Sequence, residues 1–453
     1  MQLISKNPYN QKVVGKYNID DQEKISAKIN EVNQYFCDQP FDLAKRKDLL
    51  NRIADTLQER KDDLALLITR EMGKVVSESY AEIDKCTWVC KFYADNSDSF
   101  LKDKQYVNDD FLGYVKYQPI GLVLAIMPWN FPFWQVFRFA APAFMAGNGI
   151  LLKHASNVTG CALAIQDIFF DVVKQVVFST LIISSKQVAE IIDDDRVKAV
   201  SLTGSEYAGS QVAQRAASKI KKSVLELGGS DPFIVFSDTD LNLSTDMAIA
   251  SRYLNCGQSC IGAKRFIIHK NIYSEFLSLF KTKLAELKVG DPEDPKTKIG
   301  PLAQPRFLDE LKQQITDAEE RGGKLFKGAY FTDTLMEPGL IENITKESKI
   351  FREEVFGPIA SFYEFSTKEE AIEIANCTEF GLGSSVWTQT QDIIDYCIDN
   401  LDVGAVFIND MAKSDPRLPF GGVKKSGYGR ELARDGMLEF MNHKTVVIPK
   451  HTP

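Results

Sequence analysis

Short apolar segments that alternate with longer amphipathic ones are the feature that most constrains how this chain can fold. Apolar runs of strand length occur at 120–126, 150–153, 197–202, 223–227 and 232–236, and helical patterns lie between them near 158–170 and 207–219. This alternation predicts a parallel sheet flanked by helices, because parallel strands need long crossover connections. Ligands bind such sheets beyond the carboxyl ends of the strands, so we expect the function to lie in the loops that follow these runs.

The second half of the chain repeats the pattern. Strands are predicted at 264–268, 359–364, 384–388 and 404–408, and helices at 272–287, 305–321 and 390–400. A helical period over 43–68 and a second helix near 78–96 precede the first strands. No low-complexity linker separates the halves, so their boundary is predicted near Glu226. The apolar tail 445–449 predicts a strand whose edge could pair with another protomer, a frayed terminus being the alternative.

The composition argues against several classes of function. The 453 residues include 54 lysines and arginines against 62 aspartates and glutamates, a formal charge of -8, so no nucleic-acid partner is expected. No apolar run reaches the roughly 18 residues of a transmembrane helix, and no signal-peptide pattern is present, so we expect a cytoplasmic protein without a membrane partner. The eight cysteines lack the paired spacing of a zinc site, and no metal site is expected.

Two side chains suggest covalent chemistry at a carbonyl group. Cys260 ends the segment NCGQSC (255–260), and Glu226 lies in LELGG (225–229). A thiolate attacks a carbonyl carbon, and a carboxylate can activate the water that later releases the acyl group as an acid. This combination suits the oxidation of aldehydes. Taken singly, the alternatives are an inert buried thiol and a surface carboxylate.

The loop PWNFP (128–132), which directly follows the strand predicted at 120–126, offers a candidate oxyanion site. Its two prolines and two aromatic rings stiffen the backbone around Asn130. An amide donor in this position could stabilise the oxyanion that forms when a thiolate attacks a carbonyl group. An asparagine that only caps its own turn is the alternative.

Three further segments fit a dinucleotide cofactor, although none is specific alone. The segment GSEYAG, with Gly204, Ser205 and Gly209, follows a strand and opens a helix, where backbone N–H groups could bind a pyrophosphate. Lys153 ends a strand and Glu354 lies in EEVFGP, so each could hydrogen-bond to a ribose. The alternatives are an ordinary glycine turn and solvated charges.

In their order along the chain, these segments resemble the aldehyde dehydrogenase superfamily. The motifs are PWNFP (128–132), Lys153, TGS (203–205), LELGG (225–229), GQSC (257–260), EVFGP (354–358) and PFGG (419–422). The resemblance spans nearly the whole chain and implies an α/β fold with three parts. These are a Rossmann-type cofactor domain (1–102 and 121–227), an α/β catalytic domain (228–436) and a small β oligomerisation element (103–120 and 437–453). It also implies a homodimer or homotetramer.

The resemblance further implies roles for individual residues. Cys260 would be the nucleophile and Glu226 the general base for deacylation, while Asn130 and the backbone amide of Cys260 would form the oxyanion hole. The cofactor contacts would be Glu354 at the nicotinamide ribose, Ser205 at the pyrophosphate and Lys153 at the adenosine ribose, together with Trp129, Ser156, Gly204, Gly209, Leu227 and Phe356. Glu226 favours hydrolysis over acyl transfer to coenzyme A, because acylating members of the superfamily differ at this position.

Ser156 bears on the choice of cofactor. Members restricted to NAD often carry a glutamate here, and its charge repels the 2′-phosphate of NADP. With a serine in place of that charge, we expect NAD or NADP to bind, with dual use or a preference for NADP.

Within the superfamily, the chain is most similar to bacterial succinate-semialdehyde dehydrogenases, through IMPWNFP (126–132), LKHA (152–155), LGGSDPF (227–233) and GGVKKSG (421–427). Arg138 follows Asn130 by about two helical turns, or roughly 12 Å, and could bind the far carboxylate of a short semialdehyde. Ser414 could add a hydrogen bond. A surface arginine is the alternative. Leu254 stands where some of these enzymes have a second arginine, which leaves the substrate length open.

We therefore expect NAD(P)-dependent oxidation of succinate semialdehyde to succinate through a cysteine thiohemiacetal and thioester. The alternatives are another short aldehyde or semialdehyde, such as glutarate semialdehyde, and a non-catalytic structural or binding role on the same fold. Cys256 stands where relatives usually have threonine. It could form a reversible disulfide with Cys260, or it could be a neutral substitution.

Overall fold

The structure is a computed structural model, and it describes residues 2–38, 41–107 and 110–450. Within these ranges the α-helices are Gln22–Asp38, Leu43–Glu59, Lys61–Met72, Val76–Phe100, Trp134–Ala146, Thr159–Val173, Val188–Asp193, Glu206–Ser218, Leu241–Tyr253, Tyr273–Ala285, Pro305–Glu320, Lys349–Arg352, Lys368–Asn376, Gln391–Asn400 and Ala433–Leu438. Short 3-10 helices are Ser156–Val158, Ser185–Gln187, Leu254–Gly257 and Lys424–Ser426. None of the helices in these ranges combines the length and apolarity needed to cross a bilayer.

A six-stranded sheet forms the centre of the first half of the chain. In spatial order its strands are Gly427–Tyr428, Lys222–Glu226, Val197–Thr203, Leu122–Met127, Gly149–His154 and Phe178–Thr180. Neighbouring strands are parallel, except that Gly427–Tyr428 runs antiparallel to Lys222–Glu226. The central strands are apolar and buried because helices pack on both faces. The predicted parallel sheet flanked by helices is thereby confirmed.

A seven-stranded sheet forms the second half. In spatial order its strands are Lys324–Lys327, Gly339–Glu342, Ile359–Phe365, Arg265–His269, Pro232–Val235, Gly383–Trp387 and Ala405–Ile408. Only the pair of Lys324–Lys327 with Gly339–Glu342 is antiparallel among the described pairs of this sheet. These first two strands were not predicted, because their short polar-flanked sequences carry little period-2 pattern.

The remaining strands form two small antiparallel sheets. One joins Gln2–Lys6 to Val13–Asn18, and the other has the order Met441–Pro449, Phe111–Pro119, Lys104–Val107. The predicted tail strand therefore pairs with its own chain along one side, and it forms an edge of this sheet on the other. Residues 108–109 and 451–453 of the predicted oligomerisation element lie outside the described residues, as do 1 and 39–40 of the predicted cofactor domain.

One local expectation differs from the structure. The helical stretch 43–68 is two helices that meet at Arg60, whose backbone (φ -99°, ψ 11°) leaves the helical region. Asp62 and Asp63 in the next turn favour a new helix start there, since acidic side chains stabilise the positive end of a helix dipole. The strand Gly427–Tyr428, which the predicted division assigns to the catalytic domain, joins the first sheet.

The carboxyl ends of three neighbouring strands position the functional loops. Leu122–Met127 leads into the loop PWNFP, Val197–Thr203 leads into the helix Glu206–Ser218, and Lys222–Glu226 ends on the candidate base. Parallel strands bring their carboxyl ends to one edge of the sheet, so segments that are far apart in sequence meet there. The long helix Val76–Phe100 packs against Trp134–Ala146 beside this edge.

Candidate active site

Cys260 lies between two cavities. It lines a small cavity of about 190 Å³ together with residues of the helices Val76–Phe100 and Trp134–Ala146. It also lines a cleft of about 360 Å³ that is bordered by Asn130, Ser205 and Glu354. The smaller cavity is below the roughly 300–1,000 Å³ of drug-sized ligand sites, so it suits a short molecule. A thiol in this position can contact ligands from both sides.

The backbone before Cys260 is strained. Asn255 (φ 53°, ψ 36°) and Cys256 (φ 55°, ψ 33°) both adopt the left-handed conformation. This conformation is unfavourable for non-glycine residues by about 1–2 kcal/mol each, less so for asparagine. The side-chain amide of Asn255 supports the turn by donating to the carbonyl oxygens of Asn130 (2.7 Å) and Gln258 (3.1 Å). The turn thereby ties the cysteine loop to the loop that carries Asn130.

A buried lysine, Lys264, binds the backbone of the loop that carries Cys260. The Lys264 ammonium donates to the carbonyl oxygens of Ser259 (2.7 Å) and Cys260, and it forms an ion pair with Glu354 at 3.3 Å. On the other side, a side chain at Gly229 would place its Cβ 2.6 Å from the Cys260 carbonyl oxygen. Only glycine allows the LELGG segment to approach this closely.

Burial raises the pKa of the Cys260 thiol to about 11. The positive charges of Arg138 and Lys264 oppose this shift, whereas the carboxylates Glu354 and Glu226 add to it. In the free protein the thiol therefore keeps its proton at neutral pH, and it becomes a better nucleophile when a nearby base or cation favours the thiolate.

Asn130, the candidate oxyanion residue, lies at the border of the cleft that Cys260 also lines. Its side chain is buried and borders the cleft next to Cys260, and its amide donates one hydrogen bond, to the Gln258 carbonyl oxygen at 3.1 Å, among the described residues. His154 fixes the surrounding loop, because its Nε2–H donates to the Pro132 carbonyl oxygen (2.9 Å) and its Nδ1 accepts from the Ala155 amide (2.9 Å). Burial lowers the pKa of His154 to about 4, so the ring stays neutral.

Glu226 ends the strand Lys222–Glu226 in a buried position. Neither of its carboxylate oxygens has a hydrogen-bond partner among the described residues. Burial is the largest cause that raises its pKa well above the usual value, and Glu431 adds to it, against the opposing charge of Arg138. An unsatisfied buried carboxyl group with a raised pKa is suited to exchanging a proton with a ligand or water.

Arg138 borders the small cavity, but its charge has an internal partner. The guanidinium forms an ion pair with Glu431, donates to the Thr203 hydroxyl oxygen at 3.2 Å and lies over the Phe420 ring at 4.7 Å. The side chain is 2% exposed. The predicted apolar setting is present, and the role of Arg138 in binding a substrate carboxylate stays a prediction.

Ser414 also borders the small cavity, in contact with a residue that the sequence analysis did not single out. Its hydroxyl oxygen accepts a hydrogen bond from the Lys85 ammonium at 2.8 Å. Leu254 borders the same cavity. Cys256 is elsewhere, packed in the apolar core of the seven-stranded sheet, and its thiol and that of Cys260 are both free.

The cleft of about 360 Å³ beside Cys260 fits the nicotinamide half of a dinucleotide. Its border includes the candidate oxyanion residue Asn130 and six of the predicted cofactor residues, namely Trp129, Gly204, Ser205, Leu227, Glu354 and Phe356. Ser205 caps the helix Glu206–Ser218 by accepting from the Ala208 amide at 3.3 Å, so the positive end of this helix faces the cleft. The Glu354 carboxylate accepts from the Gly229 amide at 3.2 Å and is held beside the cleft.

A second cleft, of about 730 Å³, fits the adenosine half. It is bordered by Lys153, Lys186 and Tyr207. Burial lowers the pKa of Lys153. Gly209 lies under Leu227, where an added Cβ would come within 2.7 Å of that side chain. Ser156 is exposed at the start of the turn that follows the strand of Lys153.

Several functional residues were not found from the sequence. Each of them contacts a side chain that is distant in sequence or binds backbone atoms, so no local motif marks it. These residues are Lys85, Glu82, Lys264 and Glu431. The helix predicted near 78–96 places Glu78, Glu82 and Lys85 on one face, and this cluster of charges is the signal that could have drawn attention to them.

Comparisons with known proteins agree with this arrangement. The model of the aldehyde dehydrogenase family matches residues 2–446. This chain belongs to the aldehyde dehydrogenase family.

Close relatives within the aldehyde dehydrogenase family cover the whole chain. A Synechocystis sp. protein named "Probable succinate-semialdehyde dehydrogenase", with NADP(+) in its name, is 46% identical over 99% of this chain and 100% of its own. Succinate-semialdehyde dehydrogenase 1 of Mycobacterium tuberculosis, also named with NADP(+), is 44% identical over 99% and 100%. The crystal structure of succinic semialdehyde dehydrogenase from Streptococcus pyogenes with NADP+ as the cofactor has a TM-score of 0.96 and 34% identity, covering 99% and 100%.

The unsatisfied, buried position of Glu226 leads to a prediction for deacylation. A carboxyl group whose pKa is raised is protonated at low pH and becomes a base as the pH rises, so turnover limited by thioester hydrolysis should increase with pH. In Glu226→Gln we expect one equivalent of reduced cofactor to form rapidly at each site, followed by turnover roughly 100- to 10,000-fold slower than in the parent. Stopped-flow absorbance at 340 nm measures both phases.

The rapid phase serves as the internal control, because it shows that Cys260 and the fold are intact. It also reports ionisation of the thiol separately from deacylation. A slow phase in Glu226→Gln that keeps the parent's rate and pH dependence would rule out Glu226 as the base.

Proposed function

We propose that this aldehyde dehydrogenase oxidises succinate semialdehyde to succinate, with NADP preferred over NAD. The observation that carries the proposal is the position of Cys260 between a small cavity and a cleft that fits a nicotinamide. We further propose that the six-stranded sheet and its helices form the cofactor domain, and that the seven-stranded sheet forms the catalytic domain. The eight free cysteines fit a reducing, cytoplasmic location.

In the proposed reaction, the Cys260 thiolate attacks the aldehyde carbon and forms a thiohemiacetal. The side-chain amide of Asn130 and the backbone N–H of Cys260 donate hydrogen bonds to the oxyanion. Oxidation of the cysteine-bound carbon to a thioester would need a hydride acceptor, which a nicotinamide cofactor would supply when bound beside Cys260. Glu226 then takes a proton from water as the water attacks the thioester, and the acid is released from Cys260.

The residues around the clefts fit the cofactor that this reaction needs. Glu354 would hold the nicotinamide ribose, and the start of the helix Glu206–Ser218 would hold the pyrophosphate. Lys153 would hold the adenosine ribose. Because Cys260 and Gln135 border both the cleft and the small cavity, the thiol can hold the substrate beside a bound nicotinamide.

The small cavity supports a short substrate that carries a negative charge. Its volume of about 190 Å³ fits a chain of a few carbons, and three cationic side chains, Lys85, Arg138 and Lys413, border it. The relatives from Synechocystis sp. and Mycobacterium tuberculosis are named as succinate-semialdehyde dehydrogenases, which supports the same substrate.

An aldehyde panel tests this proposal. With NADP, we expect kcat/KM for succinate semialdehyde to exceed that for butanal, which has the same carbon chain without the carboxylate, at least about tenfold. Glutarate semialdehyde, one carbon longer, should fall between them. Reduction of the cofactor is followed at 340 nm. A preference for butanal, or no activity with any aldehyde, would overturn the proposed substrate.

The proposed preference for NADP rests on Ser156 and on the lysines of the adenosine cleft. No acidic side chain stands at position 156, and Lys153 and Lys186 border the cleft. A phosphate near these groups would be attracted to the two lysines, and the described residues that border the cleft include no carboxylate.

Substitution of Ser156 tests the cofactor preference. In Ser156→Glu, the ratio of kcat/KM for NADP to that for NAD should fall at least about tenfold, because a carboxylate would lie near the 2′-phosphate. Ser156→Gln has the same size without the charge and is the matched control. Equal ratios in the two variants, or a several-hundredfold preference of the parent for NAD, would contradict the proposal.

We also propose a homodimer or homotetramer built on the three-stranded sheet. The strand Met441–Pro449 forms an edge of this sheet, and Val447 and Ile448 on it are 55% and 50% exposed. Tyr106 and Val107 on the opposite strand are similarly exposed. An edge strand with exposed apolar side chains is a common site of association between protomers.

Light scattering coupled to size-exclusion chromatography tests the assembly. The parent should have a mass of two or four 50.9 kDa chains, and Val447→Asp should shift it to a smaller assembly, because a charge at an apolar interface is unfavourable. Val13→Asp is the control, since Val13 is also 50% exposed but lies on the N-terminal sheet. A parent that is monomeric, or an equal response of the two variants, would refute the role of the sheet.

A further inference from the structure

Three cationic side chains border the small cavity, and two of them are neutralised within the protein. Arg138 pairs with Glu431. Lys413, exposed at the rim, pairs with Asp410. The third, Lys85, has no ion-pair partner among the described residues.

The carboxylates nearest to Lys85 are committed to other groups. Glu82, one turn earlier on the same helix, pairs with Lys74 and accepts from the amides of Phe133 (2.8 Å) and Trp134 (2.9 Å). Asp415 pairs with Arg417 at 2.6 Å. The Lys85 charge is therefore left without a counter-ion beside the cavity.

The position of the Lys85 ammonium is well defined. It lies 4.4 Å from the centre of the Trp134 ring and donates to the Ser414 hydroxyl oxygen at 2.8 Å. A ring face and a hydroxyl group orient a cation without neutralising it. Because Ser414 accepts from Lys85, its own O–H remains a donor for a neighbouring anion.

We infer that Lys85, together with Ser414, binds the carboxylate of an ω-carboxy aldehyde whose other end reacts with Cys260. This deepens the proposed function and rests on it. A half-buried cation without a partner is unfavourable, and a carboxylate ligand would supply both the opposite charge and acceptors for the two donors. The inference gives Lys85 the role of primary counter-ion and leaves Arg138 paired with Glu431.

The electrostatic setting of Lys85 adds a pH dependence. Burial, and then the charge of Arg138, lower the pKa of Lys85 to about 8, while Cys86, Glu82 and Asp415 oppose the shift. The cation is thus present at neutral pH and lost above about pH 8. Glu78, which borders the same cavity, has its pKa raised to about 7 by burial, so its negative charge develops about one pH unit earlier.

The test compares two aldehydes in matched variants. The selectivity ratio is kcat/KM for succinate semialdehyde divided by kcat/KM for butanal, with saturating NADP. In Lys85→Met this ratio should fall at least about tenfold, mainly through a higher KM for the semialdehyde, because a charge-assisted hydrogen bond is lost. Lys85→Arg keeps a cation and should recover most of the ratio.

Lys413→Met is the matched control, since it removes the same charge from the rim of the same cavity. We expect it to change the ratio less than about twofold, because Lys413 is exposed and paired with Asp410. Equal effects of Lys85→Met and Lys413→Met would mean that only the overall charge matters, and would overturn the inference. Equal losses for both aldehydes in Lys85→Met would overturn it too.

The pH dependence of the selectivity ratio is a second measurement, and a purely structural role of Lys85 would not alter it. The ratio cancels ionisations of Cys260 and Glu226, which serve both aldehydes. In the parent the selectivity ratio should fall above about pH 8. In Lys85→Met this fall should be absent. Any change in the ratio near pH 7 that comes from Glu78 should persist in Lys85→Met. In Lys85→Arg the fall should move to higher pH. A step near pH 8 that survives in Lys85→Met would contradict the inference.

The parent enzyme separates this inference from the proposed function. If the parent does not prefer succinate semialdehyde over butanal, the proposed substrate is wrong. If the parent does prefer it, and the preference survives in Lys85→Met, only the role of Lys85 is wrong.

Discussion

The buried carboxylate of Glu82 is the interaction on which the arrangement of the site depends. It accepts from the first two amides at the start of the helix Trp134–Ala146, and its other oxygen pairs with Lys74. Lys74 in turn lies over the Phe131 ring at 3.6 Å. A negative charge satisfies N–H groups that have no acceptor within the helix and stabilises the helix dipole. Removing one partner of such a buried pair typically costs about 3–5 kcal/mol.

This anchor determines where the neighbouring groups lie. The loop with Asn130 enters the helix at the point that Glu82 holds, and the same helix carries Gln135 and Arg138 towards the two cavities. The helix Val76–Phe100 that supplies Glu82 also supplies Lys85. One helix therefore fixes both the loop that carries Asn130 and the cationic side chain Lys85.

Desolvation is the common cause of the unusual acid–base properties of the site. It raises the pKa of Cys260 and of Glu226, because a charge is unfavourable in apolar surroundings. Arg138 opposes both shifts. In the free protein, desolvation therefore favours the protonated form of both side chains.

The regular elements and the central chemistry were predictable from the sequence. Most strands and helices of the two sheets follow clear periodic patterns, whereas the short strands Lys324–Lys327 and Gly339–Glu342 do not. Cys260, Glu226 and Asn130 lie in motifs that the family resemblance marks. The partners of these residues were not predictable. Glu431 meets Arg138 across almost 300 positions of sequence, and Lys85 meets Ser414 across 329. The break at Arg60 was missed because the apolar period continues through it.

The two-residue strand Gly427–Tyr428 has a consequence for the chain as a whole. It belongs by sequence to the second half, yet it completes the sheet of the first half, where a side chain at Gly427 would collide with the Leu225 carbonyl oxygen. Strand pairing of the backbone beside Glu226 therefore joins the two halves of the chain. A fragment that ends at Leu227 would lack one strand of its sheet. We therefore expect the two halves to fold together and not as independent domains.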